Sequence, residues 1–481
     1  PMKGLGNSYC GYSSCDNGIV RYTNNGNSIS GATTPPLQWF HVGMRPYLEW
    51  KNGNIYTGMQ DVYSTSDFAV TSWTRLTDFD GDSIKGDSIN DFVLAMQNSS
   101  VDTNLLVVGF GEQSWNVGEY RKHCSDPAAV CPQRKVLVSH DQGQTWKDKT
   151  WGSNGVKLPI NWVPLSAIVL DPDYPAKMWV TFGSYRSGDK VFFSPDTGNN
   201  WYNQSYNLPN YPVNHIVYQP NSNDRLYVAT DMGVFTKDAA MTEWECYNTN
   251  LPPAIYNHLD VNNCGGALTV SAHGRGIYKS PLAANTIVGN VLWDKDGNVG
   301  SNITVVDTLT ITASIEMAAN TKITVEPGGK LILDGGTLTS SHCIESTWQG
   351  IVLLGDPSKN QNGNPMDTSF NQGYVLLKNN ALIEDAEVAI NVGNLNANDD
   401  DNGGLVHMES GSTIKNCKRG IVVKEYSKQN KSHYFNANFI NDESKNDPQT
   451  GSPLQTEVFV DIIGTTVAGH EFDSCTFERT N

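Results

Sequence analysis

Two segments of the chain carry the same eight-residue pattern, Ser-x-Asp-x-Gly-x-x-Trp, and begin 55 residues apart. The fixed positions are Ser139, Asp141, Gly143 and Trp146 in the first copy, and Ser194, Asp196, Gly198 and Trp201 in the second. Each copy follows a short strand-like run. In a hairpin turn an Asp side chain accepts hydrogen bonds from nearby backbone N–H groups, and a Gly adopts positive φ without strain. The pattern therefore predicts two tight turns whose Trp side chains fold back onto a sheet.

Longer repeats surround these turns. A strand, a polar turn and a second strand recur at 92–109, 167–183 and 215–230, and weaker copies of the turn pattern end at Trp73 and Trp244. Antiparallel units that repeat at this spacing are typical of propeller blades, and we expect roughly five or six of them over residues 1–283.

The turn pattern resembles the Asp-box of sialidase-like and sortilin-like β-propellers. This resemblance implies a structural role for both turns, at the blade periphery and away from the central site. A sialidase would also need an Arg triad and a Tyr paired with a Glu. The family's Arg-Ile-Pro motif is absent, and Arg45-Pro46 matches it only in part. The resemblance therefore predicts the fold and argues against sialidase activity.

The second part of the chain has a different pattern of apolar runs and turns. After about residue 282, short runs rich in Ile, Val, Leu and Thr alternate with turns of Gly, Asn and Asp. Intervals of about 8 to 20 residues between such runs fit the rungs of a parallel β-helix. The overall prediction is an all-β chain with a propeller at 1–283 and a β-helix at 284–481.

The phrases at 325–331, 348–351 and 383–386 resemble a β-helix module of large Bacteroidetes surface proteins, many of which use type IX secretion. The resemblance implies a right-handed β-helix, an extracellular or outer-surface location, and the secretion machinery as a partner. The β-helix is expected to be truncated at its C-terminal end, and further blades upstream of residue 1 are left open.

The net charge of -17 and the pI of about 4.9 exclude most nucleic-acid partners, because phosphates repel an acidic surface. No apolar run is long enough to span a bilayer. Acidic side chains can collect calcium, and the best candidate is the acidic turn with Asp78, Asp80, Asp82 and Asp87. Asp399, Asp400 and Asp401 are expected to form a solvated loop.

The 9 cysteines suggest an oxidising compartment. Three pairs are close in sequence, and we predict the disulfides Cys10–Cys15, Cys124–Cys131 and Cys246–Cys264. Cys343, Cys417 and Cys475 are expected to be buried free thiols.

Three functions remain open from the sequence, because one fold hosts many activities. The leading prediction is a non-catalytic surface adhesin or scaffold that binds a glycan or a surface protein, with Trp39, Trp50 and Trp115 as candidates for stacking on sugars. The second is a propeller glycoside hydrolase, with Asp61, Glu112 and Asp231 as candidate catalytic carboxylates. The third is a subunit of an extracellular filament or secretion-associated assembly.

Overall fold

The structure is a computed structural model. It describes residues 4–7, 19–23, 28–31, 49–51, 54–58, 61–66, 73–77, 91–99, 101–112, 134–161, 163–249, 251–343, 346–367, 369–393, 401–409, 411–444, 446, 451–463 and 469–479. Side chains are described from residue 55 onward, except at 91, 92, 111 and 112. The secondary structure in these ranges is β, with a single 3-10 turn at Pro159–Asn161. None of these ranges contains a helix that is long and apolar enough to cross a membrane.

Residues up to 281 form antiparallel sheets. A three-stranded sheet contains β1 (Gly4–Asn7), β2 (Ile19–Thr23) and β3 (Ser28–Gly31). Strands of two to eight residues build two four-stranded sheets. The first contains β4 (Glu49–Lys51), β5 (Asn54–Gly58), β6 (Val62–Thr65) and β7 (Thr74–Arg75), and the second contains β8 (Asp91–Asn98), β9 (Leu106–Glu112), β10 (Lys135–Ser139) and β11 (Lys147–Asp148). Two more follow, β12 (Leu165–Leu170), β13 (Met178–Phe182), β14 (Val191–Ser194) and β15 (Tyr202–Asn203), then β16 (Val213–Tyr218), β17 (Leu226–Thr230), β18 (Gly233–Lys237) and β19 (Glu245–Cys246). The last sheet contains β20 (Tyr256–Asn262), β21 (Ala267–Ala272) and β22 (Gly276–Pro281).

These sheets are propeller blades. In the four-stranded sheets each strand pairs with the next one along the chain, and the first strands β8, β12, β16 and β20 contact one another from sheet to sheet. Apolar clusters fill the space between neighbouring blades, as in the group that includes Val107, Ile168 and Phe182. The fold is therefore held by side chains that each blade buries against its neighbours.

The strand registers define two opposite faces of the propeller. We call the turns between the second and third strands of the blades, at Asp61, 183–190 and 231–232, the distal face. We call the turns between the first and second strands, at 171–177, 219–225 and 263–266, the junction face. The repeated turns at 139–146 and 194–201 lie at the same end of their blades as the junction face, because Ser194 pairs with Met178 and Met178 with Leu170.

Residues from 285 onward form a parallel β-helix. Its strands fall into three seven-stranded parallel sheets, so each turn of the chain contributes one strand to each sheet. The first four rungs are β23 (Asn285–Ile287), β24 (Asn290–Trp293) and β25 (Gly297–Val299); β26 (Ile303–Val305), β27 (Thr308–Ile311) and β28 (Ser314–Met317); β29 (Lys322–Val325), β30 (Lys330–Asp334) and β31 (Thr337–Ser340); β32 (Trp348–Leu353), β33 (Tyr374–Lys378) and β34 (Leu382–Glu384). The last three are β35 (Ala386–Val392), β36 (Leu405–Met408) and β37 (Thr413–Lys415); β38 (Arg419–Val423), β39 (His433–Phe435) and β40 (Asn438–Asn441); β41 (Val458–Ile462), β42 (Glu471–Asp473) and β43 (Thr476–Arg479).

Apolar side chains stack in register along the inside of this helix. Ile303, Ile323 and Ile351 pair in sequence on three successive rungs of one sheet. All three are fully buried in one continuous core. β-Branched residues at every second position suit a pleated strand with one buried face, which explains the alternation of apolar and polar residues in the sequence.

Polar contacts join the junction face to the first rungs. The Arg225 guanidinium donates Nε–H to Asn285 Oδ1 (3.3 Å) and Nη2–H to the Ala284 carbonyl (3.1 Å). The Gln219 amide donates to Ser301 Oγ at 3.0 Å, and all of these atoms except the Ala284 carbonyl belong to buried side chains. Buried hydrogen-bonded groups fix relative orientation, because breaking them leaves unsatisfied polar atoms. The propeller and the β-helix are therefore tied into one unit.

A disulfide crosses the same junction. Cys264, on the turn between β20 and β21, is bonded to Cys343, which follows β31, with Cα atoms 5.8 Å apart. The predicted Cys246–Cys264 disulfide is wrong, and so is the prediction that Cys343 is a free thiol. Cys246 lies on an outer blade strand as an exposed free thiol, whereas Cys264 projects from the junction face toward the β-helix. Cys417 is a buried free thiol and Cys475 a half-buried one.

The repeated turns share one hydrogen-bond network. Ser194 Oγ donates to Asp196 Oδ1 (3.0 Å) and accepts from the Gly198 N–H (2.7 Å), while the Asn200 N–H donates to Asp196 Oδ1 (2.7 Å). Gly198 has a φ of 79°, and a Cβ there would meet Lys149 Cβ at 2.7 Å. The turn formed by 139–146 repeats these bonds, and Thr145 hydrogen bonds lower the pKa of Asp141 to about 2. Each turn is closed by its own Ser and Asp side chains.

Trp201 ties neighbouring blades together. Its ring is fully buried, and its Nε1–H donates to the Lys149 carbonyl of the preceding blade at 2.7 Å. Trp244, in the next blade, donates in the same way to the Gln204 carbonyl at 2.9 Å. The Trp of the pattern therefore connects blades, and the weak copy at 238–244 keeps this function.

Asp196→Ala is expected to lower the free energy of unfolding by about 1 to 2 kcal/mol, because the turn loses acceptors for backbone N–H groups. Asp196→Asn keeps one oxygen acceptor and is expected to recover most of that loss. Urea denaturation of the two variants measures the difference. Equal stability of the Ala variant and the unsubstituted chain would show that the network does not stabilise the blade.

Candidate functional site

The distal face gathers the carboxylates that the sequence singled out. Asp61 and Asp231 lie in turns between second and third blade strands, and Glu112 ends a second strand, β9. Asp61 and Asp231 belong to blades separated by two others. All three residues are therefore on the same face, but Asp61 and Asp231 do not lie in adjacent blades.

The Asp61 carboxylate is bonded to side chains of its own blade. Its carboxylate accepts from Arg75 Nε at 2.7 Å and from Thr77 Oγ1 at 2.9 Å, and the residue is only 4% exposed. Thr77 Oγ1 in turn accepts the Val62 N–H at 2.8 Å. A buried, ion-paired carboxylate of this kind holds the last strand of the blade and is not available to a substrate.

Asp231 bridges two blades and remains accessible. Its Oδ2 accepts from the Tyr185 hydroxyl at 2.9 Å, and its Oδ1 accepts from Asn214 Nδ2 at 2.9 Å. A carboxylate has about four acceptor positions, so each oxygen keeps capacity for a ligand hydroxyl. The hydrogen bond that the Tyr185 hydroxyl donates to Asp231, together with the charge of Asp231, raises the pKa of Tyr185, so the phenol stays protonated at neutral pH.

Tyr185 is the most exposed large side chain of this site, at 68%. Its ring meets Tyr211 edge to face, with centroids 6.4 Å apart, and Met232 beside Asp231 is also exposed. We call Tyr185, Tyr211, Asn214, Asp231 and Met232 the distal patch. The patch combines aromatic surface with carboxylate, amide and hydroxyl groups.

The turn that carries Tyr185 is anchored from below. Lys190 is fully buried, and its Nζ donates to the Ser184 carbonyl at the base of the turn. Burial lowers the pKa of Lys190 to about 8. Arg186 and Asp189 form an ion pair across the turn, with Nε and Oδ2 3.4 Å apart. These contacts hold Tyr185 in place before any ligand arrives, which reduces the entropy cost of binding.

Sequence reasoning found Asp231 but missed the tyrosines and Asn214. Tyr185 could have been identified from the sequence, because it is an aromatic residue inside the polar turn Gly-Ser-Tyr-Arg-Ser-Gly at 183–188. A blade needs no apolar side chain in such a turn. Binding residues are found disproportionately on loops that a rigid scaffold holds in place, so such an aromatic is a candidate for ligand binding.

Two histidines stack between the innermost strands of neighbouring blades. The rings of His215 and His258 are 4.1 Å apart, and the Leu259 N–H donates to His215 Nδ1 at 3.4 Å. Burial and then the neighbouring His258 lower the pKa of His215 to about 3, and burial lowers that of His258. Both rings are therefore neutral at pH 7.

The histidine pair predicts a loss of stability in mild acid. In the unfolded chain His215 binds a proton near pH 6.5, whereas in the folded protein it does so only near pH 3. The unfolded state therefore binds more protons between these values, and the free energy of unfolding falls as the pH drops through this interval. From pH 6.5 to pH 5 the loss is up to about 2 kcal/mol for His215. Urea unfolding at several pH values measures it. His215→Gln should flatten the pH dependence and exposed His140→Gln should not; an unchanged slope in His215→Gln would contradict the assignment.

Several predicted features lie outside the described residues. They are the calcium candidates Asp78, Asp80, Asp82 and Asp87, the disulfides Cys10–Cys15 and Cys124–Cys131, Trp39, Trp115, Arg45, Asp399 and Asp400, and the side chains of Glu112 and Trp50. Within the described ranges, the one group with metal-ligating atoms close together is Cys264, His342 and Cys343, within 4.8 Å of one another. Both sulfurs of that group are in the disulfide.

No protein-family model matches the chain, and no curated protein matches it. Among solved structures, an ancestral GH74 enzyme is 17% identical with a TM-score of 0.40, over 55% of this chain and 33% of that one. YCF48 from Cyanidioschyzon merolae is 11% identical with a TM-score of 0.36, over 53% and 71%. PorZ, a surface component of the type IX secretion system of Porphyromonas gingivalis, is 14% identical with a TM-score of 0.36, over 54% and 35%.

The chain spans about a third of the length of the GH74 enzyme and of PorZ. With TM-scores below 0.5, these similarities carry no argument about which activity this chain has.

Proposed function

We propose that this chain is a non-catalytic extracellular protein whose propeller, residues 1–283, binds a neutral glycan through the distal patch. The β-helix, residues 284–481, is its stalk. The observation that carries the proposal is the Tyr185–Asp231–Asn214 arrangement, in which an exposed ring stands beside a carboxylate with unused acceptor positions. Tyrosine rings stack on the apolar faces of sugars, and sugar hydroxyls donate to carboxylates.

The contacts and positions of Asp61 and Asp231 favour glycan binding without hydrolysis. A retaining or inverting glycosidase needs two carboxyl groups flanking one bond, about 5 to 9.5 Å apart. Asp61 is engaged by Arg75 and Thr77, and its blade is separated from that of Asp231 by two others. Asp61 and Asp231 therefore do not form the carboxylate pair that the glycoside hydrolase alternative needs.

The junction between the two units supports the stalk role. The hydrogen bonds of Arg225 and Gln219 and the Cys264–Cys343 disulfide fix the propeller on the first rungs. Seven rungs spaced about 4.8 Å apart extend roughly 30 Å. The distal patch is on the face opposite the junction, so the stalk would present it away from the surface to which the protein is attached.

An extracellular location agrees with the disulfide, because such bonds persist in oxidising compartments. Export by a type IX system from a Bacteroidetes cell stays a proposal that rests on the sequence phrases at 325–331, 348–351 and 383–386.

A glycan array probed with the full chain tests the proposal. We expect binding to at least one neutral oligosaccharide, reduced about tenfold by Tyr185→Ala through loss of a stacking contact. Tyr202→Ala is the matched control, because Tyr202 is 51% exposed at the periphery of the same blade. No binding to any glycan, or equal binding by both variants, would refute the distal patch as a glycan site.

A further inference from the structure

A crevice separates the junction face from the first rung of the β-helix. It has a volume of about 240 Å³ and is lined by the blade turns at 171–177 and 218–224 and by rung residues 286–288 and 291–295. We call it the junction crevice. Clefts between structural units are common ligand sites, and this volume lies just below the range of about 300 to 1,000 Å³ typical for drug-sized ligands. The space suits a small ligand with a single ring.

Four carboxylates (Asp171, Asp173, Asp224 and Asp294) and two ammonium groups (Lys177 and Lys295) line the crevice, so negative charge exceeds positive charge there. Lys177 Nζ lies 2.8 Å from Asp224 Oδ1 and 3.9 Å from the buried Asp171 carboxylate. Lys295 Nζ lies 3.2 Å from the Asp173 carbonyl and 4.0 Å from its carboxylate. The excess of carboxylates repels an anion, and the two lysines oppose a strong cation. A neutral ligand whose hydroxyls donate to the carboxylates fits this lining.

The walls still offer hydrogen-bond partners and apolar surface. Asp294 lines the crevice, is exposed, and makes no side-chain hydrogen bond within the described part of the chain. Tyr174 is 57% exposed with the Lys295 ammonium 4.8 Å from its ring centroid, and Leu292 is 54% exposed. A polyol has hydroxyls that donate to carboxylates and accept from ammonium groups, and C–H faces that pack on rings.

We propose that the junction crevice binds a single neutral sugar residue, with Tyr174 as the stacking platform and Asp294 as an acceptor for a ring hydroxyl. This site is independent of the distal patch and lies at the opposite face of the propeller. A chain with both sites would contact carbohydrate at two places, one at each end of the blades.

Saturation-transfer NMR on the full chain tests the site, with methyl β-D-glucopyranoside, methyl β-D-galactopyranoside and methyl α-D-mannopyranoside as probes. Glucuronate and arginine methyl ester serve as charged comparators. We expect saturation transfer to at least one neutral probe, with affinity reduced about tenfold in Tyr174→Ala and lowered in Asp294→Ala.

Tyr206→Ala is the matched control, because Tyr206 is 55% exposed with the Lys237 ammonium 5.1 Å from its ring centroid. This variant is expected to bind the neutral probe like the unsubstituted chain. All of these measurements are made in chains that also carry Tyr185→Ala, so that the distal patch does not contribute and its failure is distinguishable from failure of the crevice. Three results would overturn the proposal: no transfer to any neutral probe, unchanged affinity in a folded Tyr174→Ala, or preference for a charged comparator. Thermal unfolding of each variant checks the fold.

Discussion

Arg225→Met is expected to lower the free energy of unfolding by about 3 to 5 kcal/mol, because it leaves the Asp238 carboxylate buried without its partner. The Arg225 guanidinium pairs with Asp238, which is 6% exposed, and also donates to the Ala284 carbonyl and to Asn285 Oδ1. The Arg225 side chain therefore forms an ion pair within its blade and hydrogen bonds to the start of the β-helix. Urea unfolding followed by tryptophan fluorescence measures the loss.

Two comparisons make the Arg225 result specific. Arg186→Met removes the exposed ion pair with Asp189 and should change stability by less than about 1 kcal/mol. The double variant Arg225→Met with Asp238→Asn removes both charges and keeps an oxygen acceptor for the Ala240 and Met241 N–H groups, so it should be more stable than the single Arg225 variant. A single Arg225→Met variant as stable as Arg186→Met would contradict the assigned role of the guanidinium.

Cys343→Ser is expected to lower the free energy of unfolding by up to about 4.5 kcal/mol, since the Cys264–Cys343 bond closes a loop with a sequence separation of 79. The cross-link restricts the unfolded chain and holds the junction face on the third rung. Peptide mapping under non-reducing conditions should recover the linked peptides that contain both residues. Chemical denaturation with and without reductant measures the stabilisation.

Cys246→Ser is the matched control for the disulfide, because Cys246 is an exposed free thiol at the periphery of a blade. It should leave both the peptide map and the stability unchanged. A linked peptide containing Cys246 and Cys264 would instead support the pairing that sequence proximity suggested and would overturn the structural assignment.

Local chemistry explains which parts of the fold could be predicted from the sequence. The turns at 139–146 and 194–201 were recognisable because the Ser, Asp and Gly of each turn contact one another within a few residues. The rungs were recognisable because inward positions such as Ile303 and Ile323 must all be apolar. In both cases the contacts are set by short-range spacing.

Long-range pairings could not be predicted in the same way. Cys264 was assigned to Cys246 because they are close in sequence, but its partner comes from another unit of the chain. The distal patch combines Tyr185 from one blade with Asp231 from the next. The residues that flank each of them in sequence give no indication that the two are in contact. Asp61 was a candidate catalytic carboxylate, whereas Arg75 on the last strand of its own blade pairs with it and the residue is buried.

The central claim is that the distal patch binds glycan and leaves it intact. The most direct measurement incubates the full chain with each polysaccharide that it binds, xyloglucan and other β-glucans included, and quantifies released oligosaccharides by mass spectrometry. Retention of ligand without release of any fragment, together with loss of retention in Tyr185→Ala, is the predicted result. Release of oligosaccharides that disappears in Asp231→Asn or Asp61→Asn would contradict the claim and make the propeller a glycoside hydrolase.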